Sequence, residues 1–544
     1  MAREKNLEAA LADLKLQDSF AFFATPAATD RSLVLAERKA VTPKVEKQLK
    51  LSEQDRRLLA LATLIGNVDP VEVERQGLNE WRFDKQKVTE VISQIDSIIE
   101  NQLNEILHAA DFQDLESSWR GLNDLVKNTP AGADVIIEMI DVTKAELAED
   151  FEANASDVFG SDLFQKVYVT EYDQFGGRPY GALIGLYDFE NTGEDIDWLR
   201  TMGKIANASH APFIGAVSSR FFMTRQDIEA IKSREEEREA LDDAMNLAIY
   251  SPRPDRQQEY ARTLSEIKDL EGLMSHPRYG AWDAFRKEDW AAYVGLTCPR
   301  YMLRLPYDTD MRPIKGLNFR EKVAGADNGG YLWGNSSILF ARNMINSFAT
   351  SGWCQYLRGP RGGGLITGLP VHTFEQSGEE VMKVPVEIVI PDYRELEFAK
   401  SGFIPLVYRK HSAEAAFFSC QSAKAVETFS DPKDSENSQL ISNLSYTLSV
   451  TRIAHYVKSI MRDNIGTSAD APYIQNALNS WISRYVTAVT NPDDFTLRYF
   501  PFKAATVEVT EKSGELGRYR AVINVKPHIQ FEGLEVELRL ESRL

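Results

Sequence analysis

The sequence of 544 residues predicts an α/β protein of mixed α+β type, built around a mixed-sheet body, and three observations support this. Amphipathic helical stretches alternate with short strand patterns from residue 88 onward, as in proteins that combine helices with a sheet. A highly charged helical stretch interrupts the alternation near the middle of the chain. The final part of the chain then follows the two-residue alternation that is typical of β-strands.

Residues 1–60 are predicted to form an amino-terminal helix followed by an extended arm. Leu7, Leu11 and Leu14 lie at helical spacing, but the helix has too few turns to be stable alone in water. We therefore expect this helix to dock on another surface.

Residues 61–222 are predicted to be the first part of the body. A long apolar stripe over 88–107 predicts an amphipathic helix. Strands are predicted at AGADVIIEMIDV (131–142), at KVYVTEY (166–172) and at YGALIGLYDF (180–189), because these stretches are rich in β-branched and aromatic residues.

Residues 223–290 are predicted to be a charged helical outer excursion, because helices this rich in charge are more often solvated than buried. Residues 291–495 form the second part of the body and contain a long core helix over 437–465. Residues 496–544 are predicted to be a carboxyl-terminal β joint between subunits.

The predicted joint consists of a β-hairpin and a terminal strand. A turn at Ser513 and Gly514 separates the two hairpin strands. Unpaired backbone groups at a sheet edge recruit other chains, so these strands are predicted to join neighbouring subunits by strand addition. The apolar residues of the joint are Val507, Val509, Tyr519, Ala521, Ile523 and Val525 in the hairpin, and Leu534, Val536, Leu538 and Leu540 in the terminal strand.

The charge balance bears on the class of partner. Asp and Glu number 81 against 62 Lys and Arg, which gives a formal net charge of −19. This sign disfavours nucleic acid and anionic membrane surfaces as partners. It also means that copies of the chain repel one another unless a basic partner or local charge complementarity offsets the repulsion.

The cysteines and apolar runs bear on the compartment. Three widely separated cysteines support neither a disulfide framework nor a metal knuckle, which favours a reducing cytoplasm. The amino-terminal stretch lacks the uninterrupted apolar run of a signal peptide. The longest apolar run, 58–65, is too short to span a bilayer, so no direct membrane insertion is expected.

Motifs for catalysis are weak. The loop Arg358–Gly368 has the glycines and arginines that could cradle a phosphate, but it lacks the closing GK[ST] of a P-loop. A glycine-rich turn with close backbone packing explains it better. The seven histidines form no HExxH pattern. We therefore predict no catalytic residue, no metal and no cofactor, and a protein that is not an enzyme.

Several long segments resemble the large sheath subunit of bacterial type VI secretion systems, the TssC or VipB family. The resemblance extends over residues 85–544, in order along the chain. The segments that carry it are DFQDLESSWRGLNDLV (111–126), HAPFIGAVSSRFF (210–222), YVGLTCPRYMLRLPYD (293–308), YLWGNSSILFARNMINSFATSGWCQYLRGPRGGGLITGLPVHTF (331–374), SGFIPLVYRKHSAEAAFFSCQSA (401–423) and RIAHYVKSIMRDNIG (452–466).

The resemblance implies a contractile-sheath fold and a cytoplasmic, structural role. It implies that the chain forms heterodimers with a small sheath subunit (TssB or VipA), that these polymerise with neighbouring copies around a tube of Hcp, and that the sheath contracts from a baseplate to propel the tube. Residues 496–544 would then form the inner sheath layer. The amino-terminal helix with Leu7, Leu11 and Leu14 would be recognised by the AAA+ ATPase ClpV. Two alternatives are a non-polymerising cytoplasmic scaffold and a phosphate-binding enzyme that uses the Arg358–Gly368 loop.

Overall fold

The computed structural model describes most of the chain from residue 85 onward. The described ranges are 85–223, 229–230, 233, 264–265, 267, 269–309, 312–325, 328–464, 470–489, 492–511 and 519–528. The chain divides into two compact units, one formed by residues 1–109 with 307–321 and the other by residues 110–306 with 322–544.

In the first unit, the helix predicted over 88–107 is confirmed as α1 (Lys85–Leu107). The Asn104 side-chain amide donates a hydrogen bond to the Arg320 carbonyl oxygen at 3.3 Å. His108 Nε2 lies 3.6 Å from Glu321 Oε1. These contacts hold the end of α1 to the segment 307–321 of the same unit.

The second unit contains the other helices and the strands. Its helices are α2 (Ala110–Lys127), α3 (Lys144–Ala153), α4 (Gly193–Ser209), α5 (Leu270–Met274), α6 (Gly280–Lys287), α7 (Ser337–Ser351), α8 (Asp392–Lys400), α9 (Pro432–Ser442), α10 (Leu444–Asp463), α11 (Ala471–Ile482) and α12 (Asp494–Tyr499). Its strands are β1 (Leu183–Phe189), β2 (Phe213–Val217), β3 (Val294–Cys298), β4 (Tyr301–Met302), β5 (Trp333–Gly334), β6 (Leu365–Thr367), β7 (Thr373–Gln376), β8 (Glu379–Met382), β9 (Ile404–Tyr408), β10 (Glu414–Phe417), β11 (Phe502–Glu511) and β12 (Tyr519–Pro527).

A six-stranded mixed sheet of order β1-β2-β3-β9-β10-β6 organises this unit. The first four strands in that order are parallel, whereas β10 runs antiparallel to both of its neighbours. Strands β2 and β3 are buried at every residue. Continuous burial is expected for parallel strands that carry helices on both faces.

Each face of the sheet has its own hydrophobic core. On one face, α4 contributes Trp198 and Met202 to a cluster that includes Phe213 and Leu296 of the sheet. On the other face, α7 and the start of α10 pack against Ile404 and other strand residues. The α/β body predicted from the sequence is therefore confirmed.

Two of the three strands predicted in the first part of the body are wrong. Residues 131–142 form no strand; Ile136 and Met139 are exposed there, and no backbone ladder reaches them within the described residues. Residues 166–172 lie in a π-helix, Gln165–Asp173, whose Tyr168 and Tyr172 rings are in contact at 5.3 Å. In both stretches the β-branched residues pack on neighbouring elements without a partner strand.

The long helix predicted over 437–465 is two helices, α9 and α10, which meet at Asn443. That residue has an extended backbone with φ −88° and ψ 113°, and its side-chain oxygen accepts a hydrogen bond from the Ser445 amide. Ser422 and Leu444 also form backbone hydrogen bonds, to Ser442 and Cys420 respectively, so a tertiary contact interrupts the helix. Most of the predicted excursion over 223–290 lies outside the described residues.

Candidate assembly site at the carboxyl-terminal hairpin

Strands β11 and β12 form the predicted hairpin as a separate two-stranded antiparallel sheet. Their register places Val507 opposite Ile523 and Val509 opposite Ala521. Because side chains alternate between the faces of a strand, these four residues share one face. The structure therefore brings together the six predicted hairpin residues, with Tyr519 and Val525 in the same row.

The apolar face of the hairpin is buried inside its own chain. Val507 and Val509 are 3% and 8% exposed, and they pack in one cluster with Ile474 and Leu478 of α11. The opposite face carries polar residues, and Val522, which breaks the alternation in the sequence, is 40% exposed there. The side chains of the hairpin thus attach it to α11, so any link to another chain must use the strand edges.

The outer edges of the hairpin are largely open among the described residues. Each strand forms a ladder with the other only. The exception is the beginning of β11, where Phe502 forms a parallel bridge with Val486 and accepts a hydrogen bond from the Thr487 amide at 2.9 Å. From Lys503 onward, the outer side of β11 has no strand partner within the part of the chain that the structure describes, and neither has that of β12.

The base of the hairpin is fixed at His528, directly after β12. The carbonyl oxygen of His528 accepts hydrogen bonds from the Gln355 amide at 3.3 Å and from the Tyr446 hydroxyl at 3.2 Å. Its Nε2 lies 2.8 Å from Thr487 Oγ1. Burial and the nearby charge of Lys503 lower the pKa of His528, which favours the neutral ring in this contact.

Trp353, from the segment after α7, completes the anchoring. It is 2% exposed, and its ring meets those of Tyr485 and Phe502 edge-on, with centroids 5.1 and 5.3 Å apart. Trp353 and Gln355 precede the hairpin by about 150 residues. No local pattern links them to it, so the sequence analysis did not find them as anchors.

The other predicted site residues lie outside the described residues. These are Leu534, Val536, Leu538 and Leu540 of the terminal strand and Leu7, Leu11 and Leu14 of the amino-terminal helix.

The Arg358–Gly368 loop is built as a close-packed turn. The amide of Gly359 donates to the Phe417 carbonyl and that of Gly364 donates to the Gly359 carbonyl, so both amides already have protein acceptors. A Cβ on Gly364 would lie 2.3 Å from the Phe417 carbonyl oxygen. Close backbone approach thus accounts for this glycine, as the structural interpretation predicts, and the loop gives no support to a phosphate site.

The described residues contain no group of three or more His, Cys, Asp or Glu side chains placed to hold a metal. Burial raises the pKa of the Cys298 thiol, and it raises that of Cys354 to about 11. Both thiols are therefore protonated near neutral pH and are poor nucleophiles. Among the helices of the described ranges, none is long and apolar enough to cross a membrane.

Comparison with known proteins identifies the family. The family model described as EvpB/VC_A0108, tail sheath N-terminal domain, matches residues 89–250 and 256–424. The model described as EvpB/VC_A0108, tail sheath gpW/gp25-like domain, matches residues 433–544, which include the hairpin. The chain is 37% identical over 460 residues to the type VI secretion system sheath protein TssC1 of Pseudomonas aeruginosa, covering 84% of this chain and 86% of that protein.

Solved structures give a weaker likeness. The helical sheath of the anti-feeding prophage in its contracted state matches 46% of this chain and 56% of that chain, with 10% identity and a TM-score of 0.26. The baseplate of the same particle matches 49% of this chain and 64% of that chain, with 10% identity and a TM-score of 0.27.

Proposed function

Since the chain belongs to the VipB tail sheath family and is a structural subunit of a type VI secretion sheath, we propose that its carboxyl-terminal hairpin joins neighbouring subunits. The observation that carries this proposal is the division of labour within the hairpin. One face is packed on α11, whereas the outer strand edges have no ladder partner beyond Phe502 among the described residues. Backbone groups at such edges accept a strand from another chain.

The terminal strand is the segment we propose to reach the neighbour. His528 is held by hydrogen bonds from two side chains of its own unit, so the departure point of this segment is fixed. Six fully extended residues span at most about 20 Å, which separates Leu534 from His528 by no more than that distance. Leu534, Val536, Leu538 and Leu540 would then form the strand added to a neighbouring hairpin.

We propose that strand joints of this kind allow contraction. Backbone hydrogen bonds between strands do not depend on the side chains, so a joint can persist while the bodies change their packing. The free energy released would be the difference between two packings, summed over many copies. The activity is polymerisation and contraction, and we propose that the chain has no catalytic role.

We propose the remaining partners from the same family membership. The chain would form heterodimers with a small sheath subunit of the TssB or VipA type, copolymerise in the bacterial cytoplasm around an Hcp tube, and attach to a baseplate. The net charge of −19 supports a second, complementary subunit, because copies of this chain repel one another. The helix with Leu7, Leu11 and Leu14 would be recognised by ClpV.

Deletion of Gly533–Leu544 tests the joint. The chain is coexpressed with its small subunit, and the products are examined by negative-stain electron microscopy and size-exclusion chromatography. We expect tubules from the full chain and only soluble heterodimer from the truncation, because the body stays folded but the added strand is lost. Normal tubules from the truncation would refute the assignment of the joint.

Deletion of Met1–Leu16 is the matched control at the other end of the chain. We expect this variant to form tubules, because its strand joints are intact. Disassembly of contracted tubules by ClpV should be lost, and unchanged disassembly would refute the role proposed for Leu7, Leu11 and Leu14.

A further inference from the structure

Helix α2 is held to its unit by one face. Leu125 is 5% exposed and packs in one cluster with Ile338 and Ala341 of α7. A Cβ on Gly121 would lie 3.3 Å from Ile338, so α2 and α7 approach closely at this glycine. The Ser117 hydroxyl donates a hydrogen bond to the Trp333 carbonyl oxygen at 3.0 Å. These contacts fix the orientation of the helix.

The opposite face of α2 is also apolar, but it is exposed. Phe112, Leu115, Trp119 and Val126 are 37%, 57%, 56% and 54% exposed, and Leu122 lies between the last two. We call these five residues the outer seam. Successive members are three, four, three and four residues apart, which is the a and d spacing of a coiled coil. A helix that is apolar on both faces is expected to be covered on both.

The spacing indicates which kind of structure covers the seam. A stripe with a period of 3.5 residues matches another helix, because it receives knobs from a partner with the same period. The seam covers 14 residue steps from Phe112 to Val126, or about 21 Å at 1.5 Å per residue. A partner helix of about four turns fits this length.

The charge disfavours a second copy of the chain as the occupant. Two copies would each bring a net charge of −19, and Asp111, exposed at the end of the seam beside Phe112, adds local negative charge. A different polypeptide with basic residues beside its apolar stripe meets both conditions.

We propose that the outer seam of α2 is the docking site for an amphipathic helix of the small sheath subunit. This inference rests on the proposed heterodimer, and it places the contact far along the chain from the hairpin joint. The seam therefore serves pairing within a heterodimer, while the hairpin serves links between heterodimers.

Photocrosslinking from the seam identifies the occupant directly. The full chain carries benzoylphenylalanine in place of Leu115, is coexpressed with the small subunit and is irradiated, and mass spectrometry locates the crosslinks. The matched control carries the same group in place of Leu396, an exposed leucine on α8 that is outside the seam. We expect position 115, but not position 396, to crosslink to one helix of the small subunit.

Other crosslinking results would overturn the inference. Crosslinks from position 115 to a second copy of the chain, or to residues 1–84 of the same chain, would mean that a different occupant covers the seam. Absence of any crosslink from position 115 in an isolated heterodimer would mean that the seam is not part of the interface.

Affinity measurements separate this inference from the proposed heterodimer. We expect Leu115→Glu and Trp119→Glu to weaken binding of the small subunit at least tenfold, because each introduces a charge into the seam, whereas Leu396→Glu leaves binding unchanged. Both seam residues are exposed, so the melting temperature of the isolated chain should stay the same. If even the unmodified chain does not bind the small subunit, the heterodimer itself is refuted. If the unmodified and seam variants bind equally, only the docking site is refuted.

Discussion

Replacing Trp353 with alanine tests whether a core of its own holds the hairpin to the rest of its unit. The indole is 2% exposed and meets the rings of Tyr485 and Phe502 edge-on. A buried aromatic ring of this size removes roughly 150–250 Å² from water, which corresponds to roughly 4–6 kcal/mol at about 25 cal/mol per Å². Measured truncations of buried tryptophan cost about 3–5 kcal/mol, so we expect a local loss of about 4 kcal/mol.

Native-state hydrogen exchange followed by mass spectrometry measures this loss element by element. Because 1.4 kcal/mol is a factor of ten, we expect amides of α11, β11 and β12 to exchange roughly a thousandfold faster, while those of β2 and β3 keep their protection. Trp282→Ala is the matched control, since Trp282 is 1% exposed and belongs to the core on one face of the six-stranded sheet. It should accelerate exchange in the sheet. Unchanged exchange in the hairpin of the Trp353 variant, or equal acceleration throughout, would refute the reasoning.

Three further predictions concern the body. Burial lowers the pKa of His455 to about 4, so the unfolded chain takes up a proton near pH 6.5 that the folded chain does not; acidification from pH 7 to 5 should cost about 2 kcal/mol of unfolding free energy more than in His455→Gln, and equal pH dependence in urea titrations would contradict this. Gly364→Ala should lower the melting temperature measured by circular dichroism, because its Cβ would meet the Phe417 carbonyl oxygen, and an unchanged value would show that the loop can shift. Arg300→Leu should destabilise the chain to urea by about 3 kcal/mol, because it leaves buried Glu387, now bonded at 2.6 and 3.1 Å, without its partner; the double variant Arg300→Leu, Glu387→Leu should recover most of this, and no recovery would contradict the pairing.

Local patterns predicted those elements that carry their own periodic signal. The stripe over 88–107 predicted α1, and the alternation after Thr506 predicted the pairing of β11 with β12, because burial of one face imposes a period of 3.6 or 2 on the residues themselves. The same reasoning failed at 131–142 and 166–172, where β-branched residues pack without a strand partner. Whether a partner strand is available is not a property of the segment alone.

The break between α9 and α10 has a similar origin. The apolar stripe continues through Asn443, so nothing in the periodicity marks an end. The end arises because Ser442 and Leu444 form backbone hydrogen bonds to the segment near Cys420. Those bonds replace helical ones at a point that only the folded chain brings together.

The sequence by itself determined the α/β class, the acidic charge, the hairpin and the resemblance to the sheath family, because each depends on neighbouring residues or on ordered segments. The tertiary structure alone decided how the hairpin is used. It buried Val507 and Val509 against α11 and left the outer strand edges beyond Phe502 without a ladder partner among the described residues. It also brought Trp353 and Gln355 to the hairpin base across about 150 residues. Such contacts depend on how the chain closes in space, and no local pattern encodes that closure.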